Sequence, residues 1–195
     1  MENWLSQTTS RRMSTVETKR QRVTPDLVLS QLRERNFAVL STVNEDGTPH
    51  SVGVTYGVSK SDRTLAIYIM TRRHLRKAQN IARNPHVSLV VPVSRRFVWF
   101  LPPPTIQLRG RAAILPWTDA EGTEVFEGYW MGRRILAAYQ RSHRRGEARI
   151  CFVRITPDPV IHTYMVGYSI WELRSRMESG GASVVIPGLD ARPDG

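Results

Sequence analysis

The chain has 195 residues, 41% of them hydrophobic, which is enough for one well-buried domain with extensions and short for two. Its 28 Lys and Arg against 17 Asp and Glu leave a formal net charge of +11, and that points to an acidic partner: nucleic acid, a membrane surface, or a phosphorylated or carboxylated small molecule. A single cysteine excludes an intrachain disulfide, and no apolar run approaches membrane-spanning length, so no membrane partner is expected.

Residues 1–22 are polar, basic and poor in large apolar side chains, and read as a flexible basic arm outside the core. The Arg11-Arg12 pair has no apolar segment behind it, so neither a secretory nor a twin-arginine signal is expected. With the lone cysteine, this argues for a cytoplasmic protein. The stretch TPDLVLSQLRERN then supplies Thr24 as an N-cap and Pro25 at the first helical position, with Leu27, Val28 and Leu32 on one side of a short helix.

Strands follow. FAVLSTV, TPHSVGVTYGV and TLAIYIM are β-branched or aromatic runs separated by NEDG and SKSDR, which predicts an antiparallel meander. A helix is expected over roughly 73–83, with Leu75, Ala78, Ile81 and Ala82 toward the core and Asn84-Pro85 as its stop. HVSLVVPV reads as a buried strand, and SRRFVWFLPPP as a rim or extended connection, because three prolines exclude a central strand. TIQLRGRAAIL resumes the alternation, with Gly110 where a strand must bend or let another group approach. Residues 118–145 read as helical in two pieces around Gly132, and ARICFVRITPDPVIHTYMV as a final strand or pair of strands, with Cys151 in the core. Residues 167–195 form a C-terminal extension, partly helical over SIWELRSRMESGG. The whole predicts a mainly β protein with helices, an α+β chain built on a small antiparallel β-barrel over residues 23–166.

The most informative stretch is IMTRRHLRKAQNIARNPHVSLVV, where Arg72, Arg73, Arg76 and Lys77 crowd a strand-to-helix junction. Residues 71–96 hold seven cations and no carboxylate. Cations are unfavourable at a helix start, whose exposed N–H groups already carry partial positive charge, and a phosphate there would relieve the repulsion. The competing explanation is a solvated face of long side chains that binds nothing.

Taken in order, STVNEDGTPHSVGVTYG, IYIMTRRHLRKAQNIARNPHVSLVV and IQLRGRAAIL resemble the split-barrel flavin proteins, the pyridoxamine-phosphate-oxidase-like superfamily of flavin and deazaflavin oxidoreductases. The resemblance spans roughly residues 30–165 and implies a six-stranded antiparallel split β-barrel, a homodimer, and a flavin in a groove between subunits. It implies that Thr71, Arg76 and Lys77 bind the cofactor phosphate and that Ile69 and Met70 border the flavin ring. Val54, Thr55 and Tyr56 would lie along that ring, and Gln107 would reach cofactor across the dimer interface; an outward polar strand residue is the alternative for Gln107. FLPPPTIQLRG stands where the pyridoxamine phosphate oxidases carry an Arg-Gln-Val-Arg strand, and their C-terminal substrate signature is lacking, which argues against vitamin B6 oxidation. The adjacent Arg76-Lys77 pair is similar to the FMN-binding form, whereas the basic surface suits the polyglutamate tail of coenzyme F-420; haem is the third alternative within the superfamily.

The expected function is hydride transfer between bound FMN or deazaflavin and a small-molecule substrate, with a non-catalytic flavin or haem carrier as the alternative. No catalytic acid or base is singled out, and His50, His74, His86, His143 and His162 show no metal-ligand spacing, so no metal is expected. A basic nucleic-acid-binding module is the rival from another class, suggested by Arg141, Arg144 and Arg145 and by Trp99, Phe100 and Trp130. Lacking a recognition-helix, RNP or zinc-finger signature, the sequence makes nucleic acid an unexpected partner.

Overall fold

The computed structural model describes residues 23–60, 65–93, 103–167, 180–187 and 189. The expected N-terminal arm, the loop over 94–102 with Trp99 and Phe100, and all of the terminal helix expected over 169–181 except Gly180 and Gly181 lie outside the described residues; Gly181 opens a strand rather than closing a helix.

Helix α1 (Pro25–Glu34) starts as its sequence dictates. Thr24 Oγ1 accepts from the Leu27 N–H at 3.2 Å, and Val28 and Leu32 are buried. β1 (Phe37–Val43) and β2 (Pro49–Val58) form a hairpin, and β3 (Ile67–Arg72) continues the meander. Helix α2 (Arg76–Arg83) follows a turn, beginning three residues later than the sequence suggests. β4 (His86–Pro92) and β5 (Thr105–Pro116) come next, then α3 (Ala120–Glu127) and α4 (Trp130–Arg144). β6 (Ile150–Pro157), β7 (Val160–Tyr164) and β8 (Gly181–Val185) complete the described elements.

The strands run in the order β4-β1-β2-β3-β6-β5, and a further β4–β5 pairing closes these six into an antiparallel barrel. β7 pairs with the start of β5, and β8 adds to β7. Gly110 stands where one edge of β5 passes from β7 to β6, and a Cβ there would lie 2.3 Å from the Thr156 carbonyl oxygen, so the barrel corner admits only glycine. The pleat fills the interior with Ala38, Leu40, Leu89, Val91, Ile106 and Leu108, all buried.

The helical segment breaks at Gly128 and Tyr129 rather than at Gly132. Gly132 is buried inside α4, where a Cβ would sit 2.2 Å from the Phe126 carbonyl oxygen; its role is close approach between α3 and α4. The two helices cover the outer surface of β3 and β6. There Tyr68, Met70, Ile150 and Phe152 form a second apolar cluster with Val125, Phe126 and Leu136. Phe152 meets Tyr68 edge-on with centroids 6.2 Å apart and Phe126 at 5.8 Å. Cys151 is fully buried, as a small core residue.

Candidate functional site

β2 and β3 pair antiparallel, setting Tyr56 opposite Ile69, and α2 returns across the end of β3. α2 is anchored by Asn80, a buried side chain whose Nδ2 donates to Thr42 Oγ1 at 3.0 Å and to Asn44 Oδ1 at 2.9 Å. Arg83 Nη2 donates in turn to Asn80 Oδ1 at 3.0 Å. These bonds fix the helix against the β1–β2 hairpin and thereby set the direction of Lys77 one turn earlier.

A cavity of about 260 Å³ opens between these strands and the helices. Five of the residues expected at the site line it: Val54, Thr55, Ile69, Met70 and Lys77. Burial lowers the Lys77 pKa below the ordinary lysine value, the direction expected for an ammonium group withdrawn from water. Its charge acts on the thiol of Cys151, which stands opposite Thr71 in the β3–β6 register. Thr71 is buried and its Oγ1 has no hydrogen-bond partner. Beside it, the first turn of α2 has neither a side-chain cap nor an acidic residue. The cavity wall thus holds a half-buried ammonium, and the strand leading into its helix carries an orphaned hydroxyl just before an uncapped helix start. That donor set fits the phosphate of a flavin-type cofactor.

The other three expected residues are distributed differently. Arg76 is exposed at the rim, and its charge reaches Asp46 in the β1–β2 turn. The Tyr56 side chain turns into the core, where its hydroxyl donates to the Leu32 carbonyl at 2.9 Å; only its backbone runs past the cavity. Gln107 is exposed on β5, its Nε2 donating to Thr105 Oγ1 at 3.2 Å, outside the lining of this cavity. It nevertheless shares a row with the site. Gln107 pairs with Val90, Val90 with Val39, and Val39 with Gly53, which itself lines the cavity.

The sequence did not single out four lining residues: Gly53, Phe126, Ile135 and Tyr139. Tyr139 donates its hydroxyl to the Met70 carbonyl at 3.4 Å and takes the Arg72 guanidinium over its ring at 5.2 Å. The spacing of Ile135 and Tyr139, one helical turn apart, marked an inward face but could not say which strands it would meet. No histidine or cysteine lines the cavity among the described residues, and no group of three metal-ligating side chains gathers there or elsewhere among them. No helix among the described residues is long and apolar enough to cross a membrane.

A solved haem-binding protein from Mycobacterium smegmatis has a similar structure, with a TM-score of 0.59 and 15% identity over 86% of this chain and 60% of that one. HutZ, the haem storage protein of Vibrio cholerae, is similar with a TM-score of 0.54 and 18% identity over 72% of this chain and 93% of that one. These likenesses extend to the fold. No curated protein matches the chain in sequence. The family model for pyridoxamine 5'-phosphate oxidase matches residues 24–164, which contain the whole six-stranded barrel and the β3–α2 junction. The chain therefore belongs to the pyridoxamine 5'-phosphate oxidase-like family.

Proposed function

We propose that this protein is an FMN-dependent oxidoreductase acting on a small molecule, with coenzyme F-420 as the alternative cofactor. The observation that carries the reading is Lys77 in the cavity wall on the uncapped first turn of α2, with the orphaned Thr71 hydroxyl on the strand that leads into that helix. Lys77 and Thr71 hold the phosphate, and the α2 N-terminus adds N–H groups and a favourable potential. Arg76 contributes long-range attraction from the rim. The β2 and β3 backbones beside Val54, Thr55, Ile69 and Met70 border the ring, and Ile135 and Tyr139 exclude water on the α4 side. A bound flavin supplies hydride transfer. Haem is less well supported, because the cavity offers no histidine as axial ligand among its described lining.

The reading includes a homodimer. At about 260 Å³ the cavity is smaller than the range of roughly 300–1,000 Å³ usual for cofactor-sized ligands, so one chain supplies part of the site. The outward row of Gln107, Val90, Val39 and Gly53 joins the cavity edge to β5 across four strands. A twofold partner laid on this row brings its own Gln107 toward the opposite cavity. The buried free thiol of Cys151 suits the reducing cytoplasm, which we propose as the compartment.

The test is cofactor release from purified full-length protein, identified by mass, with titration of the apoprotein by FMN and by coenzyme F-420. The expected outcome is a flavin or deazaflavin absorption spectrum and saturable binding that weakens about tenfold or more on substitution of Lys77. Apoprotein that binds neither cofactor would refute the proposal.

A further inference from the structure

A second cavity, of about 230 Å³, lies beside α1 and shares no lining residue with the first. Leu27, Val93, Pro104 and Val166 give it apolar walls, and Gln31 and Arg35 from one side of α1 and its C-cap supply the polar groups. The Arg35 guanidinium donates through Nη2 to Gln31 Oε1 at 3.1 Å. Its Nε is shielded from solvent and has no hydrogen-bond partner. Gln31 passes its own Nε2 to Glu34 at 3.3 Å, and Glu34 forms no ion pair with Arg35. The positive charge also acts on the buried Tyr56 phenol, so it is felt toward the barrel interior rather than only at the surface. The shielded Nε is as far out of reach of a ligand as of water, so the cavity meets the guanidinium through its Nη edge, where Nη1 has no hydrogen-bond partner among the described residues.

We propose that this cavity is a binding site for a small organic monocarboxylate with an apolar body, its carboxylate meeting the Arg35 fork and its body lying against Leu27, Val93, Pro104 and Val166. The planar fork suits two oxygens side by side, which a carboxylate presents. A phosphate dianion fits less well, since it would bring a second charge and further acceptor positions to a site with one cation and mostly apolar walls. The small volume limits the ligand to acids about the size of benzoate or hexanoate.

The experiment is calorimetric or ligand-observed NMR titration of the full-length protein with benzoate and hexanoate. Benzamide and hexanamide serve as neutral isosteres, and inorganic phosphate as a simple anion. Both carboxylates are expected to bind saturably, with each amide at least tenfold weaker, the ratio a lost charge-assisted pair produces. Arg35→Met should abolish the preference for acid over amide, and Arg35→Lys should retain charge attraction but lose at least half of the discrimination on the free-energy scale. Lys77→Met, which removes the cation of the other cavity, should leave carboxylate affinity within about twofold. Without ligand, Arg35→Met should melt no lower than the parent, because it removes an unmet donor and keeps the apolar stem. Amides binding as well as acids would reduce the site to an apolar hollow and overturn the proposal. So would carboxylate binding unchanged in Arg35→Met, which would put it elsewhere on the cationic surface, or no binding of either acid at ten-millimolar concentration. If Arg35→Met does not fold, the acid-to-amide ratio in the parent and in Arg35→Lys still decides.

Discussion

The barrel has two outer faces built to different rules. On β3 and β6 the outward residues are large, with Tyr68, Met70, Ile150 and Phe152 all buried beneath α3 and α4. On β1 and β4 the middle outward residues are short, Val39, Ser41, Ser88 and Val90, with Gly53 and Ser51 beside them on β2; Phe37 at the start of β1 and Gln107 and Arg109 on β5 are larger and exposed. Ser41 and Ser51 spend their hydroxyls on each other at 2.8 Å. The first face is completed by the chain itself. The second is the face that the proposed twofold partner would cover, and the cavity with Lys77 lies along the border between them. If the proposed dimer forms on the open face, substitutions on the two faces should separate folding from association.

The largest effect is expected on the covered face. Phe152→Ala should cost about 3–5 kcal/mol of folding stability, because it opens a cavity among Tyr68, Phe126 and the buried Gly122 that no neighbour can fill. Urea unfolding measures it, with Ser88→Ala on the open face as a reference expected to stay within about 0.5 kcal/mol. A loss below about 1 kcal/mol at Phe152 would mean the helical layer is not packed as described.

Next comes association. Val90→Glu puts a charge in the middle of the row running from Gln107 to Gly53, and should weaken dimerisation at least a hundredfold, roughly 2.7 kcal/mol, while the monomer still folds. Light scattering across micromolar concentrations reads this directly. A dimer unaffected by Val90→Glu would move the interface off the open face and remove the argument linking Gln107 to the site.

Much of this division was legible in the sequence. Period-two alternation, Thr24 with Pro25, and the Asn84-Pro85 stop fix α1, the meander and the end of α2, because each is local chemistry. Gly110 was readable as a corner for the same reason. Gly132 was not, since a glycine that ends a helix and one that lets two helices touch look alike until the second helix is in view. β8 escaped notice because GASVV carries little alternation and becomes a strand through pairing with β7. At the site, the crowding of cations revealed a demand for negative charge. That Lys77 turns inward while Arg76 stays at the rim depends on Asn80 tying α2 to Thr42 and Asn44, contacts 38 and 36 residues apart in sequence. Tyr139 belongs to a helix added 69 residues after the strand it touches, and no local pattern announces that distance.

A third prediction concerns Lys77, on the border between the faces. Lys77→Met should weaken FMN or F-420 binding roughly tenfold or more, the range for a charge-assisted hydrogen bond in a partly dry site. Its pH dependence is a sharper test. Burial has lowered the Lys77 pKa below 10.5, so in the cofactor-free protein the ammonium deprotonates at lower pH than in the unfolded chain. Between the two values the unfolded state holds more protons, and raising pH should stabilise the apoprotein slightly. Cofactor affinity should move the opposite way, falling as pH rises above the lowered Lys77 value, since the FMN phosphate is already dianionic there and the ammonium is the phosphate-facing charge that is lost. Titrations from pH 7 to 10 should show that alkaline loss in the parent and a flattened curve in Lys77→Met. A profile with the same slope in both proteins would exclude Lys77 as the phosphate's cation.

The smallest effect is expected at the far end of the same helix. Arg83 lies at the C-terminal turn of α2, where a cation suits the helix dipole, and it reaches Glu45 and Asn80 rather than the cavity. Its ion pair with Glu45 is exposed, so Arg83→Ala should cost no more than about 1 kcal/mol of stability. Asn80 keeps its bonds to Thr42 and Asn44 in that variant, and α2 therefore keeps its position. Cofactor affinity should then stay within about twofold of the parent, against a tenfold loss at Lys77 two turns away. If Arg83→Ala instead weakens binding as much as Lys77→Met does, at two salt concentrations, the cations of α2 act as one diffuse field. The distinction between a lysine in the cavity wall and an arginine on the solvated face would then collapse.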